Sequence, residues 1–453
     1  MPLLLIIVKL FASSATILSR IRGKNATSLP GILVELYWPF LIKPLTKDLD
    51  YIILITGTNG KTTTRGVINY LLSTQRNTVV TNRGGANIMR GIATALINNL
   101  RWDLSSKIKT AVLEVEEATL PRLAKYIRAD QLIITNLLRD QLDAYGSTDQ
   151  TGEYFQASIN ELQIHNSKLE LVINNDDTKL LSFIPANFPL EQVTGFGVET
   201  GKADIQYEKN TIQDIESVKL IKLVNASKII TNWQGTHFDY IDIKGAVSQV
   251  SSSLPGLYNI YNILAGLISC NLQLEKNLAS EVTGIQPVFG RGEIIHYKEA
   301  IIVLNLVKNP SGLDQVLSLV PEFAQNLRGS IVRTSIFIND NIADGKDVSW
   351  IWDSNLEKLS DTIKSEPLKY EHLDFFAGGS RGLDMLLRLQ ASNIPLDIDN
   401  YLPDTSSLIE RIIEENKANP SNFFICGTYT AMMDIRTKLG QLVELPPIDS
   451  IGF

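Results

Sequence analysis

The residues best equipped for chemistry stand in one run, Gly57-Thr58-Asn59-Gly60-Lys61-Thr62-Thr63, between the apolar stretch Tyr51–Ile55 and a segment of helical periodicity. Glycines let backbone N–H groups approach an anion closely, and the N-terminus of the following helix adds a favourable dipole. Lys61 supplies positive charge for the terminal phosphates of a nucleotide, and the Thr62 hydroxyl supplies an oxygen ligand for Mg²⁺. Strand, glycines, Lys-Thr and helix occur in the order a nucleotide-binding loop requires, so ATP and Mg²⁺ are the predicted cofactors. Glu114 ends a second apolar run, AVLEV, where a carboxylate opposite such a loop holds magnesium. Glu116 and Glu117 in the same acidic run are alternatives for that role. Arg291 carries a planar donor fork suited to a phosphate or to a surface carboxylate.

These groups need rigid elements behind them. Short apolar runs at 51–55, 111–115, 132–135 and 171–173 alternate with helical or loop segments, the pattern of a parallel α/β sheet. Val67, Ile68, Leu71 and Leu72 give the helix after the loop one apolar face. A weakly patterned stretch, about 195–250, reads as a β-rich insertion. A second α/β rhythm starts near Ala300 and continues through Ile331–Ile338, Leu373–Ala377 and Phe423–Gly427, with helices at Leu383–Leu389 and Tyr429–Leu439. The predicted organisation is an N-terminal helical segment (1–48), a central ATP-binding domain (49–297) and a C-terminal Rossmann-like α/β domain (298–453).

A chain of 453 residues is too long for one core. Its formal charge of −7 argues against nucleic-acid binding, which needs a basic surface. The two cysteines, Cys270 and Cys426, and the four histidines, His165, His237, His296 and His372, show no metal-ligand or disulfide spacing, so no zinc is expected. Leu3–Val8 is apolar but too short to span a bilayer. With Leu10, Phe11, Ile17, Leu18 and Ile21 it reads either as a helix packed on the body or as an interfacial helix with Lys9, Arg20, Arg22 and Lys24 near lipid headgroups.

The loop spelled GTNGKTT, with two residues between its glycines, resembles that of the Mur ligase superfamily, and the resemblance continues in order along the chain. Gly84-Gly85-Ala86-Asn87-Ile88 is similar to the superfamily's substrate-facing Asn segment, and Glu114 matches its magnesium-binding Glu. Asn136 sits in a T-N…D-x-x-D block. Gly256-Leu-Tyr-Asn259-Ile-Tyr-Asn262 resembles the segment whose second Asn contacts adenine, although an Asn near a helix start is also a common cap. Gly290-Arg291-Gly292-Glu293 resembles the segment whose Arg reaches the nucleotide phosphates.

Departures narrow the resemblance. Gln141 stands where amino-acid-adding Mur ligases carry His, and Tyr154-Phe-Gln-Ala157-Ser158 lacks their carbamoylated Lys. Asn305-Leu-Val-Lys308-Asn309-Pro310 replaces their D-Y-A-H-N-P. All three are similar to the MurT family, the ligase subunits of lipid II isoglutaminyl synthases, as are Leu29-Pro30-Gly31, the stretch Asn339–Asp353, Arg381–Leu389 and Tyr429–Met432. The family's four-Cys zinc ribbon is absent from 195–250. What the resemblance implies is ATP-dependent amidation of the D-Glu α-carboxylate of lipid II through an acyl phosphate, at the cytoplasmic face of the membrane. It also implies a heterodimer with a GatD-type glutaminase subunit, whose Cys-His pair Asp347 completes from this chain. A ligase that joins an amino acid, and a catalytically silent nucleotide-binding scaffold for a glutaminase, are the rival readings.

Overall fold

The computed structural model describes residues 2–21, 29–82, 86–138, 147–199, 222–287, 289–327, 329–418 and 420–446. The expected strands form two sheets. The first has nine strands: β1 (Tyr51–Thr56), β2 (Val79–Val80), β3 (Thr110–Glu114), β4 (Gln131–Ile134), β5 (Glu170–Asn174), β6 (Val193–Val198), β7 (Lys222–Asn232), β8 (Gly235–Ile241) and β9 (Val247–Ser252). Their order is β2-β3-β1-β4-β5-β6-β7-β8-β9, parallel as far as β7 and antiparallel beyond it. The strand order reverses at β1, which has β3 on one side and β4 on the other, and in open parallel sheets ligands bind at such a point beyond the carboxyl ends of the strands.

Apolar runs are continuous because both faces of the sheet are covered. Ile52 and Leu54 enter one core; Ile53 and Ile55 enter the other with Val67, Ile68, Leu71 and Leu72 from helix α2 (Lys61–Thr74). Helix α1 (Pro2–Ile21) adds Leu5, Val8 and Ala12 to the first core. That is the packed-helix reading; Lys9, which the interfacial alternative put near headgroups, is buried: it donates to the carbonyl of Leu100 and lies 5.2 Å from the Trp102 ring centroid. Arg22 and Lys24 lie outside the described residues, as does the side chain of Arg20.

The second sheet comprises β10 (Arg291–Tyr297), β11 (Ala300–Leu306), β12 (Ile331–Phe337), β13 (Leu373–Gly378), β14 (Tyr401–Leu402) and β15 (Ser421–Gly427), in the order β10-β11-β15-β12-β13-β14. Strand β10 pairs antiparallel with β11, so residues 291–297, expected in the central domain, lie in the second sheet and the boundary precedes Arg291. The stretch at 195–250 is likewise no separate appendage, since β6 to β9 extend the first sheet; residues 200–221 are outside the described set. The hairpin β7–β8 docks the second domain. Trp233 at its turn is buried in the second domain's core, edge-on to Phe323 at 5.0 Å between ring centroids.

Trp233→Ala removes this anchor at a cost of about 3–5 kcal/mol. Because the lost contacts join two domains, urea unfolding followed by tryptophan-independent circular dichroism should divide into two transitions. A single transition at an unchanged midpoint would contradict the anchor.

Candidate active site

Two glycines let the phosphate-type loop lie flat against its supports. Gly57 has φ +118, and a Cβ there would come 2.3 Å from Thr135 Oγ1; Gly60 has φ +89, and a Cβ would come 2.1 Å from Asn262 Oδ1. The end of β4 braces the turn between them. Asn59 N–H donates to Asn136 Oδ1 at 2.9 Å, while Asn136 Nδ2 and Thr135 Oγ1 donate to the Asn59 carbonyl at 3.1 and 2.7 Å. Thr58 N–H donates to the Asn136 carbonyl at 3.1 Å. The loop is therefore preorganised by its own neighbours, which removes an ordering cost from ligand binding.

The carboxyl end of β3 faces this loop and divides its three acids. Thr62 Oγ1 donates to the Glu114 carboxylate, at 3.1 Å from Oε1 and 3.0 Å from Oε2, and Arg65 Nε stands 3.7 Å from Oε2. Asn82 fixes the backbone of Glu114 from both sides, accepting from its N–H at 2.9 Å and donating to its carbonyl at 2.7 Å. Glu117 takes Lys61 instead, at 2.7 Å, with both residues buried. Lys61, expected to be open toward phosphate, also donates to the carbonyls of Gly57 and Thr58. Asn87 is half-buried beside these groups, its carbonyl accepting from Glu116 N–H at 2.9 Å. Gly84, Gly85 and Gln141 lie outside the described residues.

One hydroxyl and one carboxylate are a set of hard oxygens that fits magnesium, which completes its octahedron with phosphate and water oxygens. Among the described residues, no group of three or more His, Cys, Asp or Glu side chains is placed to hold a metal. Thr62 and Glu114 are the residues that would hold Mg²⁺.

A cleft between the two sheets brings Asn59, Gly60 and Thr63 together with Asn262, Arg291 and Asn305. Its cavity is about 40 Å³, far below the ~300 Å³ at which ligand pockets begin, so the cleft in this form is too tight for a nucleotide. Reciprocal amide bonds hold the two domains together: Asn309 Nδ2 donates to Asn59 Oδ1 at 3.0 Å, and Asn59 Nδ2 to Asn309 Oδ1 at 3.3 Å. The Arg291 side chain makes no hydrogen bond or ion pair among the described residues. Burial lowers its pKa, opposed by Tyr258 and Glu114, so an uncommitted cation faces the cleft. Asn262 is the sixth residue of helix α3 (Leu257–Leu274), whose N-cap is Gly256, so the capping alternative fails.

Asn305 was not singled out as a site residue by the sequence. It is 1% exposed, lines the cleft, and neither side-chain polar atom has a partner among the described residues. The available signal was a polar residue in the apolar strand AIIVLNL, because burying an amide without a partner is costly. Asp347 is not in the cleft. It lies half-buried in the second domain's 339–353 segment, its pKa lowered by hydrogen bonds from Ser349, whose N–H donates at 2.8 Å. Burial raises the pKa of both cysteine thiols, which makes them poor nucleophiles.

Thr62→Ala should lower ATP turnover about 10²-fold and raise the Mg²⁺ concentration needed for half-maximal rate, because one oxygen ligand is gone. Lys61→Ala should abolish turnover but also strand a buried carboxylate, costing about 3–5 kcal/mol. Lys61→Ala/Glu117→Gln should recover that stability in urea unfolding without recovering turnover. Turnover near the unsubstituted rate in a folded Lys61 variant would show that the loop does not serve ATP.

Two family models match the chain: the Mur ligase middle domain over residues 55–270, and MurT ligase C-terminal over residues 306–432. The lipid II isoglutaminyl synthase (glutamine-hydrolyzing) subunit MurT of Streptococcus pneumoniae is 29% identical over 466 residues, covering 95% of each chain. The protein of the same description from Staphylococcus aureus is 28% identical, covering 94% of each. Among solved structures, MurF from Acinetobacter baumannii superposes with a TM-score of 0.64 at 17% identity, over 89% of this chain and 79% of that one. MurF from Thermotoga maritima in complex with ADP gives 0.59 at 14% identity, over 88% and 82%. The structural neighbours show the Mur ligase fold; the two matched domains and the full-length relatives show more, for the chain is similar to MurT subunits from end to end and is an ATP-dependent Mur-type ligase.

Proposed function

We propose that this chain amidates the D-Glu α-carboxylate of lipid II to D-isoglutamine, using ATP, Mg²⁺ and ammonia from a partner glutaminase. The observation that carries the reading is the pairing, in one chain, of a nucleotide cleft with a remote carboxylate, Asp347, on the other domain's surface. In-line attack of the substrate carboxylate on the γ-phosphorus of ATP gives an acyl phosphate and ADP. Ammonia then attacks the acyl carbon, losing a proton as inorganic phosphate departs. Arg291 and Lys61 offset the charge that develops on the transferred phosphoryl group, and the preformed loop orients it. Bound Mg²⁺, held by Thr62 and Glu114, would neutralise phosphate charge. Asn262 is placed for the adenine and Asn87 for the acceptor substrate.

Several features support a partner at the Asp347 face. Ile342, Trp352, Leu383 and Leu387 are large apolar residues left exposed there, in the 339–353 segment and on helix α4 (Gly382–Ala391). The two pieces adjoin, since Ser380 Oγ donates to Asp340 at 2.9 Å and Arg388 lies 5.6 Å from the Trp352 ring centroid. An exposed apolar cluster of this kind marks a protein interface. A cavity of about 640 Å³ extends from Asp353 and Asn355, at the end of the segment that carries Asp347, to Leu138, Tyr258 and Gln315, which also line the nucleotide cleft. Its continuity with the cleft supports delivery of ammonia through the second domain. Asp344 is structural: its carboxylate accepts from Thr430 N–H at 2.7 Å and staples the segment to the helix at Tyr429–Leu439.

Among the described residues no helix is long and apolar enough to cross a membrane. Peripheral contact at the cytoplasmic face fits a lipid-linked substrate. Leu3, Ile6, Ile7 and Leu10 form an exposed apolar stripe on α1, at the spacing of one helical face, with exposed Trp102 nearby.

Asp347→Asn should suppress glutamine-dependent amidation about 10³- to 10⁴-fold in the complex, because an amide holds the partner's imidazole in the wrong tautomer. With ammonium supplied directly, the variant should amidate at the unsubstituted rate. Undiminished glutamine-dependent activity would place the trans-acting carboxylate elsewhere. Loss of the ammonium reaction as well would assign Asp347 to the ligase or to its loop. Exposed Lys346→Ala is the matched control, since Asp344 holds the segment in place. For the membrane reading, Ile6→Glu/Leu10→Glu should abolish co-sedimentation with anionic vesicles and leave ATP turnover unchanged; persistent sedimentation would contradict it.

A further inference from the structure

A lysine ammonium has three N–H donors, and Lys61 uses all of them. Glu117 Oε1 accepts at 2.7 Å, the Thr58 carbonyl at 3.3 Å, and the Gly57 carbonyl completes the set. A phosphate oxygen can therefore reach this ammonium only by displacing an existing acceptor. The two carbonyls belong to the loop and are fixed with it, through Thr58 N–H on Asn136 and Thr58 Oγ1 on Leu138 at 3.1 Å each. Glu117 is a side chain on the turn after β3, and Lys61 is its hydrogen-bond and ion-pair partner there. It is also the acceptor that a phosphate repels.

We propose that Glu117 is a positioning residue: it holds the Lys61 ammonium in the loop and exchanges for a nucleotide phosphate oxygen, thereby setting the affinity for ADP and ATP. Burial explains why such a group is needed. Lys61 and Glu117 are 6% and 5% exposed, and a buried ammonium left to two carbonyls alone is poorly compensated. The carboxylate thus supports the loop in its unliganded form and competes with the ligand for the same charge. Glu114 does not share this role, since its carboxylate is turned to Thr62 and Arg65. The proposal rests on the reading of residues 57–63 as a nucleotide phosphate loop.

The test is calorimetric titration of ADP and AMP into the full chain and into Glu117→Gln and Glu117→Asp. Gln preserves volume and an acceptor oxygen but binds the ammonium less strongly. Asp keeps the charge and loses the reach by one methylene. Both variants should bind ADP about tenfold tighter, the worth of one charge-assisted hydrogen bond no longer displaced, with AMP affinity changed less than about twofold because its phosphate stops short of Lys61. Thermal unfolding checks that each variant is folded. Unchanged or weaker ADP binding by both would overturn the proposal. Tightening confined to Gln would also overturn it, since that is plain charge repulsion without exchange. Failure of the unsubstituted chain to bind ADP at all would instead refute the loop's assignment.

Discussion

A lysine ammonium buried at the carboxyl edge of a parallel sheet must be met by oxygen atoms at every donor, and much of this molecule is arranged around that requirement. Lys61 starts α2 directly beneath β1, where the helix N-terminus adds its own positive end. Concentrated positive charge of this kind draws carboxylates when a nucleotide is not bound and phosphates when it is. The sheet supplies both conditions. Strand β3 delivers Glu114 and, three residues on, Glu117; strand β4 delivers Thr135 and Asn136, which keep the backbone of Asn59 in place. The glycines at 57 and 60 are consequences of the same close packing, since a Cβ at Gly57 would strike Thr135 and one at Gly60 would strike Asn262 of α3.

The second domain completes the site instead of merely following it. Arg291 opens β10, Asn305 lies in β11, and Asn309 meets Asn59 across the cleft while capping the helix that begins at Pro310 by accepting from Gly312 N–H at 2.8 Å. Trp233 fastens the far end of the first sheet into the second core. An anchor at one end and a pair of amide hydrogen bonds at the other join the two domains on either side of the cleft.

Much of this was legible in the sequence where local pattern and tertiary environment agree. Runs such as Tyr51–Ile55 read as parallel strands because both of their faces are covered, and all the strands expected from apolar runs are present. The loop was legible because glycine, lysine and threonine each have a separate physical reason to be there. Other features depend on partners distant in the chain. The acids 114, 116 and 117 look alike in sequence, and only the side of β3 each one reaches separates the partner of Thr62 from that of Lys61. Lys9 stayed open to a headgroup reading because its partner, the carbonyl of Leu100, is 91 residues away. Residues 291–297 read as the tail of the central domain, yet they pair antiparallel with β11 through a tight turn at 298–299. Trp233 carried no sequence signal of docking at all.

The central claim, carboxylate activation by phosphoryl transfer ahead of amidation, is tested most directly by following oxygen. Lipid II carrying ¹⁸O in the D-Glu α-carboxylate would be incubated with this chain, its glutaminase partner, glutamine, ATP and Mg²⁺, and the released phosphate examined by ³¹P NMR. An acyl phosphate requires one carboxylate oxygen to leave with the phosphoryl group, so each amide formed should give one inorganic phosphate bearing a bridging-derived ¹⁸O. Amide formation with unlabelled phosphate, or with the label in AMP, would contradict the account.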